Sequence, residues 1–275
     1  MSKYAFVFDL DGTLLRNDNT IHPLTLKILQ KRHQKGDILA IATGRGIKKC
    51  LDVMQELPFL NYFFTSNSTV MKNLETNQII VNGNLELDAY EFLKNLAISE
   101  NLIMQMDTLE DSYILYDPNK HAHLVDPNRL MDLQSAVLST WENADQGIYQ
   151  RKETILQIAL RTNESISEKY LKAAKENLGR KYEVVLTNKI FVDINPKNIS
   201  KAIAVEYIKE HHPDAEIFAF GDSSNDYKML EAADFAITLE NATDDLKEIA
   251  NVIIGDNNTD SIATFLQGLD KEQDE

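Results

Sequence analysis

With a single cysteine in 275 residues, Cys50, the chain has no partner for an internal disulfide, and its place on an expected helix after Gly46 reads as a buried or half-buried thiol rather than a nucleophile. There is no run of eighteen apolar residues and no basic-then-apolar start ending in a small-residue cleavage site, so the expectation is a cytoplasmic protein with no membrane span and no secretory signal. Basic residues are also short: 28 Lys and Arg stand against 43 Asp and Glu, and the net charge of −15 repels nucleic acid and anionic membranes. Lys31-Arg32 and Lys48-Lys49 are isolated pairs on helical segments and read as solvated faces. No G-x-x-x-x-G-K-[ST] loop occurs, and Gly44-Arg45-Gly46 is not continued at the dinucleotide spacing, so nucleoside-triphosphate and nicotinamide folds have little support.

What is present is an ordinary globular balance, 43% hydrophobic and 26% charged, at a length nearer two domains than one. Periodicity predicts strands over 4–10, 38–42 and 62–65 with helices between them, a βαβαβ order that implies a parallel sheet. The rhythm resumes with strands over 191–194, 217–220, 235–239 and 252–254, again separated by helical stretches. Between the two, the texture turns to hairpin-like strands, a helix and longer joins. The expected fold is therefore α/β: a doubly wound, Rossmann-like parallel-sheet core over 1–81 and 189–275, with an inserted α+β cap domain over 82–188. In that insert His121-Ala122-His123 offers two imidazoles on one face of an extended segment, a spacing more typical of a surface than of a metal site. His211-His212, before Pro213, reads as a helix end.

Ligands of an open parallel sheet bind beyond the carboxyl ends of its strands, so the residues there are the informative ones. The first strand ends in Asp9-Leu10-Asp11-Gly12-Thr13, the second in Thr43-Gly44-Arg45, and the strand over 217–220 in Gly221-Asp222-Ser223-Ser224-Asn225-Asp226, while Lys201 opens the preceding helix. Residues two apart on an extended segment share a side, so Asp9 and Asp11 can face one centre while Leu10 packs beneath. Each motif alone is matched by a plain turn, and Asp226 could simply cap a helix. Three of them at strand ends of one sheet gather four carboxylates, a hydroxyl and an ammonium. Carboxylates so placed repel one another without a cation, and an all-oxygen set suits Mg²⁺. Mg²⁺ with Lys201 and Arg45, completed by Thr43 and backbone N–H groups, would turn an acidic rim into a phosphate trap.

In these motifs and their order, the chain resembles the haloacid dehalogenase-like (HAD) phosphatases, in their Cof-type branch with a large α/β cap after the third core strand. The resemblance implies a core strand order 3-2-1-4-5 and a cap that selects the substrate. It departs from the branch in having Ser66-Asn67-Ser68-Thr69 for Ser-Asn-Gly-Ala, Ala202 after Lys201, and Thr238-Leu239-Glu240-Asn241-Ala242 for a Met-Gly-Asn-Ala version.

The function implied is Mg²⁺-dependent hydrolysis of small phosphate monoesters, such as sugar phosphates, through an aspartyl-phosphate. Asp9 would be the nucleophile and Asp11 the general acid and base. Asp9, Asp11, Asp222 and Asp226 would hold the metal, Asp226 through a water or from behind the other ligands. Lys201, Thr43, Gly44, Arg45 and Asn225 would bind the phosphate. A small phosphorylated substrate is the one partner expected, since with its cap in cis the chain needs to be no more than a monomer or weak homo-oligomer. A phosphomutase of similar build is the alternative. A phospho-receiver module is further off, because its acceptor normally ends the third strand, where this chain has Asn67, and it lacks a hundred-residue insert.

Overall fold

The computed structural model describes residues 3–124, 138–187 and 189–272. Asn188, the last residue of the expected insert, lies outside them. The chain divides into two compact units: Met1–Gly44, Met54–Ile80 and Ser200–Glu275 form one, and Arg45–Val53 with Val81–Ile199 form the other.

The first unit is built on an eight-stranded sheet. Its strands are β1 (Lys3–Phe8), β2 (Ile38–Ala42), β3 (Tyr62–Thr65), β4 (Val70–Asn73), β5 (Ile79–Val81), β11 (Ala215–Gly221), β12 (Phe235–Leu239) and β13 (Val252–Ile254). Their order is β13-β12-β11-β1-β2-β3-β4-β5, parallel from β13 to β3 and antiparallel where β4 pairs with β3. The expected 3-2-1-4-5 order is thus the run β3-β2-β1-β11-β12, extended by β13 at one edge and β4 and β5 at the other.

The unbroken apolar run of β1 follows from burial on both faces. Ala5 and Val7 pack with Ala204, Val205 and Ile208 of α7 (Ala202–His211) and Met229 and Leu230 of α8 (Tyr227–Ala232). On the alternate positions Phe8 stacks on Phe220 at 4.6 Å, and Phe220 meets Phe265 of α10 (Ser261–Glu272) edge-on at 5.7 Å.

One side chain corrects the reading of the basic pairs. Arg32, on α1 (Pro23–Gln34), is not solvated: it is 2% exposed, lies 5.4 Å from the Phe6 ring centre, and donates to the Leu266 carbonyl and to Asp37 Oδ2, the latter at 3.3 Å. Asp37 in turn accepts the Tyr4 N–H at 3.2 Å. Helical spacing showed only that positions 31 and 32 were polar. The aromatic floor that makes Arg32 a buried tie between α1, β1 and α10 comes from elements far away in sequence.

The second unit carries an antiparallel sheet of order β7-β6-β8-β10-β9, made of β6 (Ile103–Thr108), β7 (Ser112–Leu115), β8 (Ile155–Arg161), β9 (Tyr182–Thr187) and β10 (Phe191–Pro196). One face packs Met104, Met106, Ile158, Leu160, Val192 and Ile194 against Tyr90 and Leu93 of α3 (Leu87–Glu100) and Tyr170 and Ala174 of α6 (Ser167–Leu178). Gln105, Asp107, Gln157, Asp193 and Asn195 occupy the alternate positions and are buried as well. The strand over 191–194, expected to resume the parallel core, is therefore part of this sheet. Its alternation of Val192 and Ile194 with Asp193 and Asn195 is the signature of a strand with one apolar face, which a short window did not separate from a doubly buried one.

The segment Arg45–Val53 joins this unit through Lys49, whose ammonium lies 3.3 Å from Gln105 Oε1 and 3.2 Å from Asp107 Oδ1, so Lys49 is a second exception to the solvated reading. The helix expected after Gly46 is a 3₁₀ turn, Ile47–Cys50, leading into α2 (Leu51–Glu56), with Cys50 fully buried. His121 and His123 lie on α4 (Pro118–His121) and the 3₁₀ turn after it, not on a strand, and His121 Nδ1 accepts the Asp117 N–H at 2.9 Å. No helix among the described residues is long and apolar enough to cross a membrane.

The Arg32 contacts yield a stability test. Removing one partner of a buried ion pair leaves the other charge desolvated and unpaired, so Arg32→Ala is expected to lower unfolding free energy by about 3 kcal/mol. Arg32→Met with Asp37→Asn, which removes both charges, should recover at least half of that in urea denaturation. A loss below about 1 kcal/mol, the range of surface pairs, would contradict the buried role.

Candidate active site

Parallel register brings the motif residues of the first unit together. Phe8 pairs with Phe220, and the Asp9 N–H continues the ladder to the Phe220 carbonyl at 2.9 Å, which sets Asp9 level with Gly221 and beside Asp222. Two glycines permit this approach. Gly12 has φ +83°, and a Cβ there would stand 2.4 Å from Asp222 Oδ2; a Cβ on Gly221 would stand 2.5 Å from Asp226 Cβ. Any side chain at either position would push the carboxylates apart.

Asp9, Asp222 and Asp226 each present a carboxylate oxygen, and these oxygens lie within 4.8 Å of one another. Lys201, which immediately precedes α7, reaches into the cluster from below. Its Nζ is 2.6 Å from Asp9 Oδ1 and 2.6 Å from Asp226 Oδ1, and it is 1% exposed. Asp226 Oδ2 accepts the N–H groups of Asp222 and Ser223, both at 3.1 Å, closing a capping box with Ser223. Asp226 is therefore both the helix cap of the plain reading and a member of the cluster. With one oxygen on Lys201 and the other on two backbone N–H groups, it stands behind Asp9 and Asp222. Asp222 Oδ1 accepts the Thr13 hydroxyl at 2.9 Å.

Charge in this cluster is unbalanced. Burial pushes the Asp9 carboxyl well above the usual range; the Lys201 ammonium opposes this, and Asp226, Asp222 and Asp11 reinforce it. Burial and the neighbouring Asp226 push Asp222 up to about 7. Burial disfavours the ammonium of Lys201, but Asp226 and Asp9 outweigh it and raise its pKa. Carboxylates whose pKa is raised first by burial and then by one another's charge fit a hard divalent cation, which would offset both effects.

Asp11 is half-buried and its carboxylate falls outside the trio, although its charge is felt by Asp9 and Asp222. Thr43 is fully buried at the end of β2, donating its N–H to the Phe64 carbonyl and accepting the Asn67 N–H, both at 2.9 Å. A Cβ on Gly44 would lie 3.5 Å from Asn67 Oδ1 and 3.7 Å from Asn225 Nδ2, so both amides border it. Of the expected site residues, Asp9, Asp11, Thr43, Gly44, Lys201, Asp222, Asn225 and Asp226 belong to the first unit, whereas Arg45 groups with the second.

Three residues without an assigned role in the sequence reading take part in this geometry. Thr13 holds Asp222, and Asn241 Nδ2 donates to the Gly12 carbonyl at 2.8 Å, while Thr238 Oγ1 donates to the Gly221 carbonyl at 2.7 Å. The segment Thr238–Ala242, one of the departures from the branch pattern, thus braces the rim. The only signal for Thr13 was its place in the Asp-Gly-Thr turn; for Asn241 and Thr238, 17 or more residues from the carbonyls they hold, it was their place in that altered segment.

The loop after β3 is unusual. Ser66, Asn67 and Ser68 are consecutive left-handed residues, with φ of 49°, 54° and 74°. For a residue other than Gly or Asn that conformation costs about 1–2 kcal/mol. The buried hydroxyls of Thr65, Ser66 and Thr69 find no hydrogen-bond partner among the described residues.

The chain is similar to known proteins along nearly its whole length. Residues 6–266 match the family described as haloacid dehalogenase-like hydrolase. A 5-amino-6-(5-phospho-D-ribitylamino)uracil phosphatase of Bacillus subtilis is 25% identical over 274 residues, covering 96% of each chain. A pyridoxal phosphate phosphatase of Escherichia coli is 26% identical over 279 residues, covering 97% of this chain and 98% of its own. The solved structure of a subclass IIB sugar phosphatase superposes with a TM-score of 0.79 at 19% identity, covering 98% of this chain and 99% of that one. With the match spanning nearly its whole length and the motif residues gathered at the ends of β1, β2 and β11, the chain belongs to the haloacid dehalogenase-like hydrolases, in their Cof-type branch.

Proposed function

We propose that this phosphoric monoester hydrolase acts on a sugar phosphate or comparable small phosphate ester in the cytoplasm, with Mg²⁺, by transient transfer of the phosphoryl group to Asp9. The observation that carries the reading is the Lys201 ammonium held at 2.6 Å from both Asp9 and Asp226, with Asp222 alongside. Asp9 and Asp222 would hold the ion, with Asp226 bracing them. When bound, it would withdraw charge from the phosphoryl oxygens and keep Asp9 ionised. The second unit is assigned as the cap, and the enzyme works as a monomer or weak homo-oligomer.

In the first step an Asp9 oxygen forms a bond to phosphorus as the bond to the ester oxygen breaks, and Asp11 gives its proton to the departing alkoxide. In the second, water attacks the phosphorus, Asp11 takes the water's proton, and Asp9 leaves as a free carboxylate with inorganic phosphate as the other product. Lys201 fixes the orientation of Asp9 through Oδ1. Asn225, with Thr43 and Gly44, orients the phosphate; Arg45 is a further phosphate-binding candidate.

Three outcomes are expected. Asp9→Asn abolishes Mg²⁺-dependent release of phosphate from a generic monoester while the thermal midpoint holds; more than a tenth of wild-type turnover would refute the nucleophile. Asp11→Asn slows a sugar phosphate far more than an aryl phosphate, whose leaving group hardly needs an acid; equal losses would argue against the proton role. The third concerns pH. Folded Asp9 and Asp222 hold protons more tightly than in the unfolded chain, so without metal the stability they contribute is lost as pH rises, for Asp222 through about 7. An ion that displaces those protons binds better above that value. Saturating Mg²⁺ should thus raise the melting temperature by about 5 °C at pH 8 and by less than half as much at pH 6. Equal shifts at both pH values would mean that the ion does not meet these carboxylates.

A further inference from the structure

We propose that Asn67 is a positioning residue of the phosphate site, holding Asn225 and the Thr43–Gly44 turn in one arrangement. The inference rests on the phosphatase reading given above and gives a role to a residue to which that reading assigned none.

Three contacts converge on Asn67. Its backbone N–H donates to the Thr43 carbonyl at 2.9 Å, tying the loop after β3 to the end of β2. Its side-chain Oδ1 accepts from Asn225 Nδ2 at 3.2 Å, tying the same loop to the turn after β11, 158 residues away in sequence. Its amide borders Gly44, the residue between the two. Asn225 is fixed at its other end by the Ser223 hydroxyl, which donates to Asn225 Oδ1 at 2.7 Å. The Asn225 amide is therefore oriented from both sides: one Nδ2 hydrogen goes to Asn67, and the other is the donor it can direct at a phosphoryl oxygen beside Gly44.

The backbone explains the residue type. Asn67 is left-handed and 4% exposed, flanked by left-handed Ser66 and Ser68. Asparagine is among the few residues besides glycine that adopt this conformation readily, and unlike the equally long aspartate it supplies its acceptor without a further negative charge. A run of left-handed residues beside three buried hydroxyls without a partner among the described residues, those of Thr65, Ser66 and Thr69, is a local cost the surrounding fold maintains. Presenting the Asn67 amide between β2 and β11 is what the loop achieves by it.

The test is a double-mutant cycle. Asn67→Gly keeps the left-handed backbone and the N–H to Thr43 but deletes the acceptor. With Mg²⁺ and a generic phosphate monoester, kcat/KM is expected to fall at least tenfold. In an Asn225→Ala background the same substitution is expected to change kcat/KM less than twofold, because the group it orients is gone. Asn67→Ser, whose shorter side chain cannot reach Asn225, gives the same comparison should the glycine variant not fold. Equal losses in both backgrounds, with an active wild type, would overturn the positioning role alone. An inactive wild type would sink the phosphatase reading, and this inference with it.

Discussion

An ammonium buried between two carboxylates is tolerable only when its hydrogen bonds are met, and Lys201 meets two of its three with Asp9 and Asp226. The rest of the site follows from this contact. It draws the end of β1 and the turn after β11 to one point from beneath, and leaves their outer oxygens facing a common centre. It also neutralises too little charge. Burial first, and the neighbouring acids after it, raise the pKa of Asp9 and Asp222 above the exposed carboxyl range, a cost that a divalent cation would relieve. In the proposed reading, a hard cation held by these acids is what would admit an anionic ester to a chain whose net charge of −15 would otherwise repel one.

The scaffold supplies rigidity where that contact needs it. Parallel pairing of Phe8 with Phe220 fixes the level of Asp9, and the aromatic layer of Phe8, Phe220 and Phe265 leaves that register nowhere to slip. Around the rim the connections are polar and long-range: Thr13 to Asp222, Asn241 to Gly12, Thr238 to Gly221, Asn67 to Asn225. Each satisfies a carbonyl, carboxylate or amide that an open strand end would leave exposed, so the positions of the reactive groups are set by several elements at once.

The alternation of apolar strands and amphipathic helices made the parallel core legible, and the acids at strand ends made most of the candidate site legible, because a strand's carboxyl end is where such sheets place ligands. What escaped was whatever depends on partners remote in sequence. Arg32 reads as a surface charge until Phe6, Asp37 and Leu266 surround it. The strand β10 reads as a core strand until its alternation is set against the antiparallel neighbours β8 and β9. Asp226 was legible as a cap or as a site acid, and only the two 3.1 Å contacts to backbone and the 2.6 Å contact to Lys201 reveal that it is both. Asn67 stood in the sequence as the retained Asn of an altered Ser-Asn-Gly-Ala segment, with no role assigned, since its contacts depend on a left-handed backbone that a sequence does not spell out.

Crystals grown with Mn²⁺ in place of Mg²⁺ and measured at the manganese absorption edge test the central claim most directly. The account predicts one anomalous peak within about 2.0–2.6 Å of carboxylate oxygens of both Asp9 and Asp222, with the Lys201 ammonium still on Asp9 and Asp226. A map with no ion between those two carboxylates, or with the ion bound elsewhere while Lys201 swings away, would contradict it.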